Sequence, residues 1–151
     1  MTLKGPGNEG IVTNRTLAAV VSDQKPLMLG ARASVQEACC CMWERRAGSV
    51  LVVDDQQRLL GIFTGRDAVR TLAEGKSAEA IMLAHAMTPN PVTALPSSRA
   101  IDALREMTNR GFRHLPVVED GRIFGVVSRG DFKGVEIDRL DDEDHLWECV
   151  R

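Results

Sequence analysis

The chain writes one pattern twice. Ser49 to Asp67 reads SVLVVDDQQRLLGIFTGRD, and His114 to Asp131 reads HLPVVEDGRIFGVVSRGD. Val52-Val53 corresponds to Val117-Val118, Gly61 to Gly125, and Thr64-x-x-Asp67 to Ser128-x-x-Asp131. Met42 and Met107 stand 65 residues apart, as do Pro26 and Pro91, whereas Gly61 and Gly125 stand 64 apart. The two copies stay in step on both sides of a turn that is one residue shorter in the second. That is the signature of an internal duplication. A unit of about half this length is marginal alone, so two copies packed on each other are expected.

Each copy contains two β-branched runs joined by a turn, which predicts a β-hairpin; in the second copy the turn is Asp120-Gly121. Ahead of each hairpin lies a stretch of helical periodicity. Val35, Ala38, Cys39 and Met42 mark one, capped by Ser34 and stopped by Gly48. Ala100, Ala103, Leu104 and Met107 mark the other, capped by Ser98 and stopped by Gly111. Short strands are expected at Leu27 to Leu29 and Val92 to Ala94, and helices start at Thr64 and Ser128. A short helix over Thr16 to Val21, a linker helix over Ser77 to Ala86 and a turn over Met87 to Pro91 complete the pass. Each unit therefore reads β-α-β-β-α, an α/β (α+β) fold.

Bulk composition narrows the function classes. Hydrophobic residues at 44% and charged residues at 26% suit a globular protein. A net charge of −2 without a basic block argues against nucleic acid or an anionic membrane as partner. No apolar segment is long enough to span a bilayer, and the start lacks an apolar signal core, so a cytoplasmic location is expected. Cys39, Cys40, Cys41 and Cys149 match no common zinc spacing. His85, His114 and His145 likewise stand in no metal-ligating pattern, and no Walker loop, dinucleotide fingerprint or nucleophile elbow is present. No catalytic residue and no metal site is therefore named, and the expectation is a protein that is not an enzyme.

The chemistry that remains sits at the two helix starts. Thr64-Gly65-Arg66-Asp67 and Ser128-Arg129-Gly130-Asp131 each follow a Gly-apolar-apolar step. Taken singly, such a motif is a capping box, common in proteins with no ligand. The same groups can nevertheless serve one: a helix N-terminus attracts phosphate, a hydroxyl donates to it, and a carboxylate accepts from a sugar diol. Arg113-His114 precedes the second hairpin where the first copy has Gly48-Ser49. That asymmetry suits a single anionic ligand, with arginine matching phosphate geometry and His114 able to carry charge beside it.

With these residues in place, the chain resembles a tandem pair of CBS domains, the cystathionine-β-synthase-type regulatory motif, over about residues 16 to 135. Met87-Thr88-Pro89-Asn90-Pro91-Val92-Thr93 adds to the likeness. The resemblance implies two units packed as a pseudo-two-fold pair, with clefts that bind an adenosine-containing ligand such as AMP, ADP or ATP. Carried onto this sequence, Thr64, Arg66 and Asp67 would serve one cleft. Thr93, Arg113, His114, Ser128, Arg129 and Asp131 would serve the other, and Ile62, Val92 and Val126 would line the adenine. The expected division is a loose leader over 1–15, CBS unit 1 over 16–76, CBS unit 2 with a linker helix over 77–135, and a tail over 136–151. A stand-alone energy or metabolite sensor follows, homodimeric and read by an effector protein of unknown identity. The alternative is a ligand-free structural or protein-interaction module, and a small nucleotide-processing enzyme ranks behind both. Leu51 in place of Pro116, and the missing basic pair, already set the first copy apart.

Overall fold

The computed structural model describes residues 14–132. Helix α1 (Leu17–Val20) opens on Thr16, whose hydroxyl accepts from Ala19 N–H. Strand β1 (Met28–Gly30) leads to helix α2 (Val35–Arg45), capped by Ser34 through Glu37 N–H. Strands β2 (Ser49–Val53) and β3 (Leu59–Thr64) form the first hairpin, and helix α3 (Gly65–Ala73) follows directly. Helix α4 (Leu83–Ala86) and strand β4 (Thr88–Pro89) lie between the copies. Helix α5 (Ala100–Arg110), strands β5 (His114–Glu119) and β6 (Arg122–Ser128), and a 3-10 turn at Arg129–Asp131 complete the described chain.

The duplicated sequence gives duplicated cores. One core joins Val35, Ala38, Met42, Val50, Val52 and Phe63 to Leu83 and Ala86. The other joins Ala100, Ala103, Met107, Leu115, Val117 and Val127 to Leu17 and Val21. Apolar residues at helical spacing on α2 and α5 thus meet alternate residues of a hairpin, as the two periodicities require. The helix that completes each core comes from outside the repeat: α4 covers the first copy, and α1 covers the second.

The contacts therefore divide the chain differently from the repeat boundaries. One compact unit holds Lys25–Val92 with Glu119–Ile123; the other holds the described residues before Lys25, then Thr93–Val118 and the described residues from Phe124. They are called here the first-copy and second-copy units. The linker segment 77–92, expected with the second copy, belongs to the first-copy unit. The segment ending at Gln24, expected with the first copy, belongs to the second-copy unit.

In the first-copy unit the sheet order is β1-β2-β3-β4, with β1 parallel to β2 and the other pairs antiparallel. Gly61 and Ile62 of β3 pair with Pro89 and Thr88. In the second-copy unit β5 and β6 form a hairpin, and Ala94 makes a parallel bridge to Val117. The flank of β6 is satisfied by a side chain. Gln24 Nε2 donates to Val126 O at 2.8 Å, and Val126 N–H donates to Gln24 Oε1 at 2.9 Å. An amide side chain thus mimics the strand that β4 supplies to β3.

Several local expectations change. The first turn is organised by Asp54, whose Oδ1 accepts from Gln56 N–H and Arg58 N–H; the second has Asp120 and Gly121 both at positive φ, as a primed hairpin turn requires. Helix α2 stops at Arg46 in the left-handed region (φ 53), two residues before Gly48. Arg99, not Ser98, stands at the N-cap of α5, while Gly111 closes it as expected. The linker is helical only over Leu83–Ala86, and the expected turn at Met87 to Pro91 contains β4. Val92 to Ala94 contributes a single bridge rather than a strand. From Ser128 the described chain makes a 3-10 turn, not an α-helix. Of the expected leader, residues 1–13 lie outside the described residues, as does the whole of the tail 136–151.

Two glycines permit the covering segments to approach. A Cβ on Gly125 would stand 2.7 Å from Gln24 Oε1 and 2.8 Å from Val21 Cβ. On Gly61 it would stand 2.5 Å from Met87 Sδ and 2.8 Å from Thr88 O. Gly125→Ala and Gly61→Ala should each destabilise the protein by about 1–3 kcal/mol through overpacking. Gly30→Ala, where a Cβ meets nothing within 4 Å, serves as the control and should melt with or slightly above wild type. Thermal denaturation of the three variants checks this; a Gly125→Ala protein that melts like Gly30→Ala contradicts the close approach.

Candidate functional site

Both predicted starts form capping boxes, the first opening α3 and the second a 3-10 turn, because a strand ending in a hydroxyl residue leaves the first N–H groups of the next turn without partners. Thr64 and Asp67 form a capping box, and so do Ser128 and Asp131. Thr64 N–H and Oγ1 both donate to Asp67 Oδ2, at 2.9 and 3.2 Å. Ser128 N–H and Oγ donate to Asp131 Oδ2 at 2.7 and 3.1 Å. Thus one oxygen of each carboxylate organises the turn.

The second oxygen differs. Asp67 Oδ1 lies 3.1 Å from Arg70 Nη2, and that same nitrogen donates to Ala86 O at 2.7 Å. Arg70 Nε also stands 3.7 Å from Glu74 Oε1, and Asp67 is only 5% exposed. Below it, Thr71 Oγ1 donates to Asp67 O at 3.0 Å. Asp131 is half-buried, and its Oδ1 has no hydrogen-bond partner among the described residues. The Asp131 main-chain carbonyl is held instead by Arg15 Nη2 at 2.6 Å.

Strand β5 begins beside this second turn. Arg129 N–H donates to Arg113 O at 3.2 Å, just as Gly65 N–H donates to Gly48 O at 3.3 Å in the first copy. In the first hairpin Ser49 faces Thr64 across the strands, and His114 takes the place of Ser49 in the repeat. His114 is half-buried. Burial pushes its imidazole below the ordinary value, the Asp131 carboxylate pulls it back up, and the Arg113 guanidinium adds to the depression. His114 is therefore mainly neutral at pH 7 in the ligand-free chain. Arg113 is exposed. Arg129 is turned toward α5, where its Nη1 donates to Thr108 Oγ1 at 3.0 Å.

The predicted residues fall into two sets. Thr64, Arg66, Asp67, Ile62 and Val92 belong to the first-copy unit; Thr93, Arg113, His114, Val126, Ser128, Arg129 and Asp131 belong to the second. Arg66, Thr93 and Val92 are exposed, Val126 is half-buried, and Ile62 is buried in the sheet opposite Leu51 and Thr88. Sequence reasoning missed Arg70 and Gln24. The i,i+3 spacing of Asp67 and Arg70 carried a signal for the first. Gln24 reaches across 102 residues of sequence and carried none.

An open groove of about 830 Å³ runs along α2 and α3, lined by Cys39, Met42, Trp43, Glu44, Ala47 and Ala68 among others, and includes none of the predicted ligand residues. Burial, then the neighbouring Cys40, raise the Cys39 thiol above its ordinary value, which disfavours the reactive thiolate. Among the described residues no three His, Cys, Asp or Glu side chains gather as a metal site, and no helix is long and apolar enough to cross a membrane.

Comparison with known proteins follows the same lines. The CBS domain family model matches twice, over residues 17–74 and 80–137. The CBS domain-containing protein CBSCBSPB2 of Arabidopsis thaliana is 39% identical over 104 residues, covering 68% of this chain and 19% of that protein. The chain thus spans about a fifth of the length of the curated relatives it matches first. Among solved structures, the CBS domain protein PAE2072 from Pyrobaculum aerophilum, complexed with AMP, superposes with a TM-score of 0.76 at 20% identity, covering 85% of this chain and 99% of that one. The CBS domain pair of protein MJ0100, in complex with 5-methylthioadenosine and S-adenosyl-L-methionine, superposes at 0.72 with 23% identity, covering 87% and 98%. These two likenesses concern the fold.

His114 gives the second-copy turn a pH signature. Its folded value is depressed, so the unfolded chain binds the proton first and stability falls as pH drops through the ordinary histidine value near 6.5. Above that value both states are neutral and the term vanishes. Denaturant melts at pH 8, 7, 6 and 5 should show His114→Gln losing less stability on acidification than wild type, by no more than one proton's slope. Parallel pH profiles for the two proteins would contradict the burial of the ring.

Proposed function

The chain belongs to the CBS domain family, and on that premise we propose that it is an adenosine-ligand-binding regulatory module. In this reading it performs no catalysis, works in the cytoplasm and signals to an effector protein. The observation that carries the reading is the second-copy turn. A serine hydroxyl, a half-buried carboxylate with an oxygen to spare, and the Arg113-His114 pair stand together at the start of β5. A carboxylate suits a ribose diol, since it only accepts hydrogen bonds and repels phosphate. An exposed guanidinium suits the phosphate. AMP, 5-methylthioadenosine and S-adenosyl-L-methionine, the ligands of the two solved relatives, share the adenosine that such a pair would select. Val126 and Val92 remain the apolar candidates beside the base, with Thr93 near the nucleoside.

A scaffold reading is favoured by a different observation. Trp43 is 85% exposed on α2, and Val69 and Leu72 are 65% and 74% exposed on α3. Large apolar side chains in that state mark a contact surface. A second copy of this chain is the simplest occupant, because two-fold pairing is the commonest assembly.

Three measurements test these statements. A melting screen across AMP, ADP, ATP, NAD(H) and S-adenosylmethionine should find a stabilising ligand. A hundredfold excess over the dissociation constant adds about 2.7 kcal/mol, on the order of 5–10 °C for a domain of this size. No shift at millimolar concentration transfers the case to the scaffold reading. Arg113→Ala should weaken ATP roughly ten- to hundredfold and leave adenosine nearly unchanged, with the ATP effect shrinking at high salt. Equal losses for both ligands would make Arg113 a packing residue. Light scattering at micromolar concentration should report a dimer that Trp43→Ser weakens; a monomer throughout contradicts pairing through this face.

A further inference from the structure

We propose that Arg70 is a specificity-determining residue that closes the first-copy helix start to ligand, so that the module binds one adenosine ligand and not two. The inference rests on the ligand-binding reading above and goes beyond it in saying which copy binds and why.

The two capping boxes are built alike, and they differ in what is left over. Both carboxylate oxygens of Asp67 are engaged within the protein. Oδ2 takes the N–H and hydroxyl of Thr64 at 2.9 and 3.2 Å, and Oδ1 takes Arg70 Nη2 at 3.1 Å. Asp67 is 5% exposed, so no open face remains for an incoming group.

Arg70 is itself anchored, to Ala86 O at 2.7 Å and near Glu74 Oε1 at 3.7 Å. Displacing it would break a carbonyl bond and expose a buried carboxylate in one step. Leaving the buried Asp67 carboxylate without its ion partner is unfavourable, although the Arg70 side chain itself is half exposed. Arg70 thus occupies the side of Asp67 that a ligand's diol would approach: its guanidinium forms an ion pair with the second oxygen. The internal donor is held at high effective concentration and needs no association step.

The second copy keeps the cap, with the Ser128 hydroxyl likewise donating to Asp131 Oδ2 at 3.1 Å, and differs at the other oxygen. Asp131 Oδ1 has no hydrogen-bond partner among the described residues, and Asp131 is half-buried rather than buried. In the repeat, the position corresponding to Arg70 is Gly134, which has no side chain to supply. Positive charge appears instead at Arg113, where the first copy has Gly48. The first copy aims its cation at its own carboxylate; the second keeps the exposed Arg113 for an anion.

Titration calorimetry on the full chain tests the count, with AMP and then ATP as probe and protein concentration fixed by tryptophan absorbance. The expected result is one site per chain. It should be lost, or weakened at least tenfold, in Asp131→Ala, and kept within about twofold in Asp67→Asn. Arg70→Met retains the apolar stem and removes the donors, so it should add a second, weaker binding event. Two sites in wild type overturn the proposal and leave ligand binding standing. So does a single site lost in Asp67→Asn and kept in Asp131→Ala, or an unchanged count in Arg70→Met. Where Arg70→Met is too unstable to titrate, the other three proteins decide. Absence of heat and of any melting shift with all five ligands removes the ligand-binding reading itself, an outcome distinct from the others.

Discussion

Each repeat of this chain cannot close its own core, and the rest of the structure follows from that. A helix and a hairpin leave one flank of the hairpin without main-chain partners and one side of the apolar cluster open. Both needs are met by a short segment from outside the repeat. Leu83 and β4 serve the first copy; Leu17, Val21 and Gln24 serve the second. The approach is possible only because Gly61 and Gly125 carry no Cβ. Neither copy therefore forms from its own contiguous stretch, and a cut at the repeat boundary removes a core helix from the first copy.

That closure also fixes the helix starts. β3 and β6 run from the glycine step straight into Thr64 and Ser128, so the covering segments set the place where each strand ends. The hydroxyl and the carboxylate three residues later then satisfy the exposed turn. What a helix start can do beyond capping is decided by acceptor capacity: a carboxylate has two oxygens, and the cap consumes one. In the first copy Arg70 takes the other. In the second it is left for whatever approaches Asp131, beside Arg113 and a histidine whose proton affinity burial has lowered.

Much of this was legible in the sequence. Periodicity placed α2, α5 and both hairpins, because apolar spacing and the Asp-Gly turn are local signals. The repeat spacing placed the two capping boxes at equivalent sites. What was not legible lay in long-range partnership. Contacts join 77–92 to the first-copy unit, and nothing in a short apolar segment says which neighbour it covers. Gln24 reads as an ordinary loop residue, and its pairing with Val126 depends on a fold already formed. One helix stop differs for a local reason: Arg46 takes the left-handed cap two residues before Gly48. Ser98 was preferred to Arg99 by cap propensity, which the isolated bridge between Thr16 and Arg99 overrides.

Duplication makes the difference between the copies informative. Ancestry alone accounts for two caps, two glycines and two hairpins, so their presence says little about function. The departures from the repeat carry more weight, because the common scaffold does not require them. Arg70 against Gly134 and Gly48-Ser49 against Arg113-His114 move positive charge in opposite senses, toward the carboxylate in one copy and to the start of β5 in the other. Packing does not explain the exchange: the cores beneath both helix starts keep the same residue classes, Val50 and Val52 answering Leu115 and Val117. The consequence is chemical: in the first copy a guanidinium faces the buried Asp67 carboxylate, and in the second the half-buried Asp131 lies beside a strand that opens on the exposed Arg113.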